Sequence, residues 1–440
     1  MAGRSDRAPR TMLEALLRSR DTATYRDVID EFDSVAKSLG ARATMSPRHL
    51  MRIAAGECGA SPQVRRVLQK MFGRPAEDLL VPMEPDLPIV HSPGIDRSPV
   101  SVEEQVMSAA KRARRFTMSH EAGPTTVVVD QLMDDLAAIA RDYQVKPIGE
   151  ILPSLTQLQD DAFTLVETKK LRPQFARDLY LVAGVTTGLL AKASHDLAKP
   201  NAAVTQARAA YLCAEQADHD GLRAWIHGLQ ALVCYWAGRH TYALQHTRHG
   251  ATFAKRSGGT SVVWLYAAEA RSMAALGDFS GAEETILQAQ DAREGVEGDD
   301  LDNLGGICTF GLPRQQYYAA DALAWSPAAA DQAKSHAIES LESHRKLGEN
   351  YAFSDASGAA ADLAIAHINS ASPDLDGALT AIQPVLDLAP GQRINGIVHS
   401  LDRVSESIRR SELANETQAH EIIEAVEDFS AVTAAGPQEG

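Results

Sequence analysis

Two arginines one helical turn apart, Arg48 and Arg52, have the type and spacing that reading a DNA groove requires. They lie in the segment MSPRHLMRIAAGE, where Ser46 can cap a helix and Pro47 can occupy its first position. At about 100° per residue, the arginines share one face of this helix and the apolar residues occupy the other. Guanidinium groups on an exposed helix face bind phosphates and the edges of guanine in the major groove. The segment therefore predicts a short DNA-reading helix.

A second helix is predicted in the segment SPQVRRVLQKMFG, which begins with the same Ser-Pro signal at Ser61 and Pro62. Its arginines lie outside its apolar stripe, where they can contact phosphates or serve only as a solvated surface. The residues predicted to contact DNA are Ser46, Arg48, His49, Met51, Arg52, Arg65 and Arg66.

The run from Leu13 to Leu80, with MSPRHLMRIAAGE followed by SPQVRRVLQKMFGRPAEDLL, resembles the helix-turn-helix regulators of actinobacteria, of the Cro/repressor type. The resemblance implies that residues 46–56 are the recognition helix and that residues 1–80 form a DNA-binding domain. The helix predicted before the turn, over residues 25–39, carries four carboxylates that would repel phosphate if they faced it: Asp27, Asp30, Glu31 and Asp33. They favour an alternative, a protein–protein interaction adaptor or anti-activator whose helix-turn-helix has lapsed.

The predicted DNA-binding domain and the rest of the chain carry net charges of opposite sign. The whole chain carries −15, but residues 1–80 hold 14 Lys and Arg against 10 Asp and Glu, a net charge of +4. Residues 81–440 therefore carry −19. A basic head with an acidic remainder fits a protein that binds DNA without being trapped on it nonspecifically. A chain of 440 residues also exceeds what one hydrophobic core normally serves, so at least two domains are expected.

Other functional classes find little support. The four cysteines are far apart and have no metal-ligand spacing, which fits a reduced cytoplasmic compartment. No run of 18 apolar residues occurs, so no membrane partner is expected. The sequence has no phosphate-binding loop, nucleophile elbow or zinc-protease motif, so neither catalysis nor a cofactor is predicted. The pair His246 and His249 is interpreted as surface histidines because no third ligand completes a metal set.

Residues 81–100 are predicted to form a linker, because five prolines lie between Val81 and Pro99. A helix containing the basic run KRARR is predicted over residues 102–116. Beyond residue 123, apolar residues recur at helical spacing in one segment after another. Residues 101–440 are therefore predicted to be an all-α sensor and dimerisation domain.

Weak internal repeats organise this second region. The segments KPNAAVTQARAAYLCA, GRHTYALQHTRHGATFA, GDFSGAEETILQAQDA and PDLDGALTAIQPVLDLA align at Ala203, Ala243, Ala282 and Ala378, and the first three are 40 and 39 residues apart. A small residue at that place lets the helices of a hairpin approach closely, so the pattern resembles tetratricopeptide repeats. The expected fold class is all-α, with an N-terminal helix-turn-helix domain followed by a tetratricopeptide-like α-solenoid.

Two parts of this array are predicted differently. The glycine-rich segment over residues 294–313 is predicted to contain no helix and to be either a disordered excursion or a functional lid. The helices predicted over residues 396–410 and 416–432 either cap the array or pair two protomers.

Aromatic and arginine side chains cluster where the inner helices of such an array would lie. Aromatic rings bury area with little loss of entropy and arginines bind carboxylates, which suits a peptide or small-molecule effector. Core packing is the alternative for each of them. The predicted effector-binding residues are Arg223, Trp225, Tyr235, Trp236, Trp264, Tyr266, Arg271, Tyr317 and Tyr318.

These expectations combine into a cytoplasmic, DNA-binding transcription regulator with a ligand-sensing array. A homodimer is expected because one short helix reads only a few base pairs, and a two-fold dimer doubles the contact on a palindromic site.

Overall fold

A computed structural model describes residues 10–19, 25–41, 43–56, 58, 60–72, 74, 76–80, 126–168, 172–433 and 436–437. The chain divides into two compact units, Met1–Ser108 and Ala109–Gly440, which we call the N-terminal and C-terminal units. The predicted linker over residues 81–100 and the predicted KRARR helix over residues 102–116 lie outside the described residues.

The prediction of an all-α fold is confirmed. The described part of the chain is helical throughout, apart from turns and one antiparallel pair of two-residue strands, Val432–Thr433 and Gly436–Pro437. None of the described helices is both long and apolar enough to cross a membrane.

The described N-terminal unit consists of short helices around one small core. Their bounds are α1 Met12–Ser19, α2 Tyr25–Ser38, α3 Pro47–Ala54, α4 Pro62–Phe72 and α5 Ala76–Leu80. Each helix places an apolar stripe inward, and the buried side chains include Leu13, Phe32, Leu50, Ile53, Val67, Leu68 and Leu79. Burial of such stripes supplies most of the stability of short helices, which are marginal in isolation.

The turn between α2 and α3 is fixed by hydrogen bonds at both ends. Gly40 has a φ of +62°, a conformation that glycine adopts without steric cost, and Ala41 N–H donates to the carbonyl of Ala36 at 2.9 Å. At the other end, the backbone N–H of His49 donates to the Ser46 hydroxyl at 3.2 Å. The Ser-Pro signal therefore begins α3 as the sequence predicts.

The C-terminal unit is a series of helical hairpins. Its described helices are α6 Thr126–Asp142, α7 Ile148–Thr168, α8 Pro173–Asp196, α9 Pro200–Ala217, α10 Asp220–Trp236, α11 His240–Ser257, α12 Ser261–Ala275, α13 Phe279–Glu294, α14 Asp300–Leu304, α15 Leu312–Leu323, α16 Ala330–Lys346, α17 Phe353–Asn369, α18 Leu375–Leu386, α19 Asn395–Arg410 and α20 Thr417–Ala431. The hairpins α8–α9, α10–α11, α12–α13, α15–α16 and α17–α18 follow one another along the chain.

The first helix of each hairpin forms an inner layer. In the sequence α8, α10, α12, α15, α17 and α19, each helix packs against the next, and we call these six the inner helices. The last inner helix, α19, also contacts the first, α8, so the inner helices surround a central space.

The four alanines that align in the sequence occupy one structural position. Ala203, Ala243, Ala282 and Ala378 are each the fourth residue of the second helix of a hairpin, and all four are fully buried. Ala333, the fourth residue of α16, is also fully buried, so a repeat that sequence comparison did not reveal has the same position. A side chain no larger than a methyl group lets the helices of a hairpin approach closely.

The prediction for residues 294–313 was wrong. The segment contains α14 and a 3-10 turn, Gly306–Cys308, and its apolar side chains Leu301, Leu304, Ile307 and Phe310 are buried. The carboxylate of Asp299 accepts from two backbone N–H groups of the first turn of α14, completing a capping box with Asp302. The segment is a packed part of the core, so it is neither a disordered excursion nor a lid.

Glycines in the inner helices pack against aromatic rings from a neighbouring inner helix. A Cβ added at Gly188, Gly228 or Gly358 would lie 2.4–2.6 Å from a ring atom of Trp225, Trp264 or Tyr317, respectively. A mid-helix glycine costs about 0.5–1 kcal/mol relative to alanine. Here that cost is offset because the ring can lie directly on the neighbouring backbone.

Replacing Gly358 with alanine should therefore destabilise the C-terminal unit. The new methyl group collides with the Tyr317 ring, and we expect a loss of about 1–3 kcal/mol in the free energy of unfolding. The control is Gly149→Ala in α7, where nothing lies within 4 Å and alanine improves helix propensity. Urea denaturation of both variants measures the difference, and equal midpoints would contradict the proposed close contact.

Candidate functional site

Helix α3 presents a polar face to solvent. Arg48, His49, Met51 and Arg52 are exposed, whereas the apolar residues of the same helix are in the core of the N-terminal unit. The eight residues of α3 span about 12 Å, close to the width of the major groove of B-DNA. The two arginines are therefore placed on one free helix surface.

Helix α4 adds two more exposed arginines. Arg65 is held in place because its Nε donates to the carbonyl of Ala60 at 3.1 Å. Arg66 is exposed beside it. On α2, Asp27, Asp30 and Asp33 are also exposed, so the acidic face expected from the sequence reaches solvent.

The inner helices enclose a cavity in the C-terminal unit. It leaves about 60 Å³ open to the centres of water-sized molecules, several times the ~10–15 Å³ that one water needs. Six of the nine predicted effector-binding residues line it: Trp225, Trp236, Trp264, Arg271, Tyr317 and Tyr318. The structure thus gathers residues from α10, α12 and α15 around one space.

The aromatic walls of this cavity are packed edge to face. The rings of Trp225 and Trp264 lie 6.4 Å apart at 60°, and those of Tyr317 and Tyr318 lie 5.3 Å apart at 83°. Trp264 Nε1 donates to the Tyr318 hydroxyl at 3.2 Å. Such pairs add stabilisation beyond the area they bury, so the walls are firmly positioned.

Beside the cavity lies a buried charge network centred on Asp321 of α15. Its carboxylate accepts a hydrogen bond from the Tyr235 hydroxyl at 2.6 Å and from each guanidinium of Arg271 and Arg403 at 2.9 Å. Asp362 of α17 lies 3.7 Å from Arg403. The network therefore connects α10, α12, α15, α17 and α19, and the side chains of Arg271, Asp321 and Asp362 are almost completely buried.

The two carboxylates of this network have opposite pKa shifts. Burial opposes ionisation of Asp321, but the guanidinium groups of Arg271 and Arg403 outweigh it and lower the pKa of Asp321. Burial, reinforced by the charge on Asp321, raises the pKa of Asp362 well above its ordinary value. Burial and the neighbouring charge thus favour the protonated form of Asp362, whereas the two guanidinium groups favour the ionised form of Asp321.

A wider cleft lies on the other side of the network. It has a volume of about 290 Å³ and is lined by Tyr235, Trp236, Trp325, His399 and Arg403, among others. The rings of Trp236 and His399 stack at 6.0 Å, and Trp325 Nε1 donates to the Tyr235 hydroxyl at 3.1 Å. Tyr235, the seventh predicted effector-binding residue, therefore faces the cleft, and Trp236 borders both spaces.

Two of the predicted effector-binding residues lie elsewhere. Arg223 is held at the N-terminal end of α10 by ion pairs with Glu215, Asp218 and Asp220 at 2.6–3.2 Å. Tyr266 is partly buried against the core and borders neither space.

The sequence analysis missed most of the charged side chains at the cavity. These are Lys192, His195, Asp196, Arg314 and Asp355, which line the cavity, and Asp321, Asp362 and Arg403, which form the network beside it. For two of them a signal was present, since Asp321 and Asp362 interrupt the alanine-rich runs YYAADALAW and GAAADLAIAH. A carboxylate in an otherwise buried run needs a partner, and this is the pattern that marks a polar network.

His246 and His249 lie beside a third histidine, His227 of α10. The ring centres of His227 and His249 are 4.8 Å apart, and the His227 and His246 rings are 5.6 Å apart. His246 is half-buried, so the interpretation of both as surface histidines was wrong for this residue. Burial and the neighbouring histidines lower the pKa of His227 to about 4. The residues that the structure describes contain no group of His, Cys, Asp or Glu arranged to hold a metal ion.

Comparison with protein-family models and with curated proteins finds no match to this chain.

Removing the shared carboxylate should destabilise the C-terminal unit strongly. In Asp321→Asn, two buried guanidinium groups lose their principal anion, and we expect the free energy of unfolding to fall by about 3–5 kcal/mol. The matched control is Glu427→Gln, which breaks the exposed pair with Arg409 and should cost less than about 1 kcal/mol. Chemical denaturation compares the two, and similar losses would contradict the importance of the buried network.

The free energy of unfolding should also decrease as the pH is lowered, because of His195, which lines the cavity. Burial lowers its pKa from 6.5 to about 4, although the charge of Asp196 partly opposes this shift. Between pH 6.5 and pH 4 the unfolded chain binds a proton at this histidine, and the folded chain excludes it. The contribution of His195 to the free energy of unfolding is therefore complete above pH 6.5 and is lost towards pH 4.

We therefore expect His195 to account for a loss of about 2 kcal/mol between pH 7 and pH 5. His195→Gln should reduce the pH dependence by that amount, whereas His420→Gln, at an exposed position of α20, should leave the contribution of His195 in place. Denaturation at both pH values measures the slopes, and an unaltered slope in His195→Gln would refute the assignment.

Proposed function

We propose that the chain is a cytoplasmic, sequence-specific DNA-binding transcription regulator, whose C-terminal unit binds a peptide or small-molecule effector. In this proposal α2 and α3 form a degenerate helix-turn-helix, and α3 enters the major groove. The hairpins of the C-terminal unit form a tetratricopeptide-like sensor.

The observation that carries the proposal is the outward face of α3. Arg48 and Arg52 are exposed on it, and neither forms part of the core of the N-terminal unit. A helix with an apolar underside and free guanidinium groups is what groove reading requires. The exposed Arg65 and Arg66 on α4 are available for phosphates, which would fix the orientation of the unit on the duplex.

The C-terminal unit supports the effector part of the proposal. Its alanines recur at one position of successive hairpins, as in a repeat array, and its inner helices surround a cavity. Aromatic walls with a few well-placed polar groups are typical of ligand sites. The homodimer remains part of the proposal because two copies would place two reading helices on a palindromic operator.

An adaptor that no longer binds DNA is the second candidate. The exposed Asp27, Asp30 and Asp33 on α2 favour it, because carboxylates near the duplex oppose binding. In that case the N-terminal unit would contact a protein instead, and α3 would have no sequence to read.

DNA selection with the full-length protein, followed by binding measurements on the selected site, separates the two. We expect Arg48→Ala and Arg52→Ala each to lose about 1–3 kcal/mol of discrimination between the selected site and a scrambled duplex. Arg66→Ala should instead weaken binding to both duplexes. It should also reduce the slope of log affinity against log salt concentration by about 1.

Arg410→Ala is the control, since it removes an exposed arginine of the C-terminal unit. It should leave both affinities unchanged. Failure to enrich any DNA site, or unchanged preference in Arg48→Ala and Arg52→Ala, would refute the regulator and leave the adaptor.

A further inference from the structure

Three buried nitrogen atoms at the central cavity have no hydrogen-bond partner. They are Nε1 of Trp225, Nε of Arg271 and Nε2 of His195, on α10, α12 and α8. All three side chains are more than nine-tenths buried, so bulk water does not supply the missing partner. Leaving such groups unpaired is costly, and three of them on side chains that line one cavity are unusual.

The chemistry of these atoms defines the partner. An indole N–H and a guanidinium N–H can only donate, so a ligand atom that reaches them must be an acceptor. The low pKa of His195 leaves its ring neutral at physiological pH, so it can either donate or accept. Carboxylate and carbonyl oxygens are the acceptors that satisfy this set.

The charges around the cavity favour a carboxylate over a carbonyl. Lys192 is paired with Asp196 at 2.8 Å, and Arg314 with Asp355 at 2.7 Å. Arg271, by contrast, shares the carboxylate of Asp321 with Arg403, and its Nε has no acceptor. Of the cationic side chains that line the cavity, Arg271 is therefore the least neutralised.

The size and walls of the cavity limit the rest of the ligand. The space admits several waters or one small organic molecule, but it does not admit a peptide chain. Trp225, Trp264 and Tyr317 are among the lining side chains, and an aromatic lining suits a small apolar body.

We propose that the central cavity is a binding site for a small, planar, monoanionic carboxylate, with its oxygens towards Trp225 and Arg271 and its apolar body between the aromatic walls. The assignment rests on the proposed effector function of the C-terminal unit and narrows its ligand class. Because the unpaired nitrogens are now shielded, the ligand displaces lining side chains slightly as it binds. Tryptophan fluorescence should report that displacement.

The test uses full-length protein with benzoate as the probe and benzamide as its neutral, similarly shaped control. Benzoate should change the tryptophan fluorescence saturably and bind at least tenfold more tightly than benzamide, because only the anion neutralises the network. Trp225→Phe removes the indole N–H and should weaken benzoate about tenfold. Trp325→Phe removes an indole outside the cavity and should leave benzoate affinity within twofold of the wild type.

A second variant tests the charge argument without depending on a large change in packing. Asp362→Asn keeps the size of a side chain that does not line the cavity. It should leave benzoate affinity within twofold, because burial raises the pKa of Asp362 and favours its protonated form. Absence of benzoate binding, equal affinity for benzamide, or equal effects of the two tryptophan variants would overturn the carboxylate assignment.

DNA affinity measured with and without benzoate separates this proposal from the regulator itself. Selective benzoate binding without any change in DNA affinity supports the carboxylate site and counts against its role as an effector site. If the protein binds a selected DNA site but does not prefer benzoate to benzamide, the proposed ligand class is overturned and the proposed regulator is not.

Discussion

The C-terminal unit depends on one carboxylate shared by several helices. Asp321 accepts from a tyrosine and two arginines that belong to α10, α12 and α19, while it lies itself on α15. Desolvating these charges costs several kcal/mol per ion, and attraction offsets the cost only where the geometry is good. Burial and the charge of Asp321 raise the pKa of Asp362, and aromatic rings cover Arg271, with those of Tyr235 and Tyr318 each 4.2 Å away. Directional hydrogen bonds of this kind constrain the relative placement of the inner helices more sharply than apolar packing alone.

The aromatic walls impose a second constraint on the same helices. Trp225, Trp264 and Tyr317 lie directly on glycines of the neighbouring inner helices, where a methyl group would not fit. These contacts bring the helix backbones together and leave little free volume beside the rings. The cavity therefore remains where the polar groups from α8, α12 and α19 prevent the aromatic side chains from filling the centre. Polar and aromatic residues thus define its position jointly.

The helices were largely predictable, whereas the network was not. A period of 3.6 residues is a local property, as are start signals such as Ser46-Pro47 and Ser61-Pro62, so the helices that carry them follow from the sequence. Helix α14 has only five residues, too few for periodicity, and its cap is an Asp299–Asp302 pair instead of a Ser or Thr with Glu.

Six cavity residues were found because tryptophan, tyrosine and arginine are conspicuous in an alanine-rich background. Their charged partners were missed because the pairing of Asp321 with Arg403 spans 82 residues, and no local pattern encodes such a contact. The position of Arg223 was missed for the opposite reason. Its acidic partners lie within eight residues of it, and they hold it away from the cavity.

In the proposed regulator, a signal from the cavity must pass through the charge network. The aromatic rings are closely packed against the glycines, so a ligand that contacts the rings cannot shift the inner helices gradually. The network can change in a discrete way, because Asp321 divides its interactions between Arg271, which lines the cavity, and Arg403, which lines the cleft. A ligand carboxylate that accepts a hydrogen bond from Arg271 weakens the bond between Arg271 and Asp321. Asp321 then binds Arg403 more strongly, which strengthens the contact between α15 and α19. Coupling of this kind requires only that the ligand bind one arrangement of the Asp321 network more tightly than the other. An anionic ligand would prefer the arrangement in which Asp321 binds Arg403 and leaves Arg271 available.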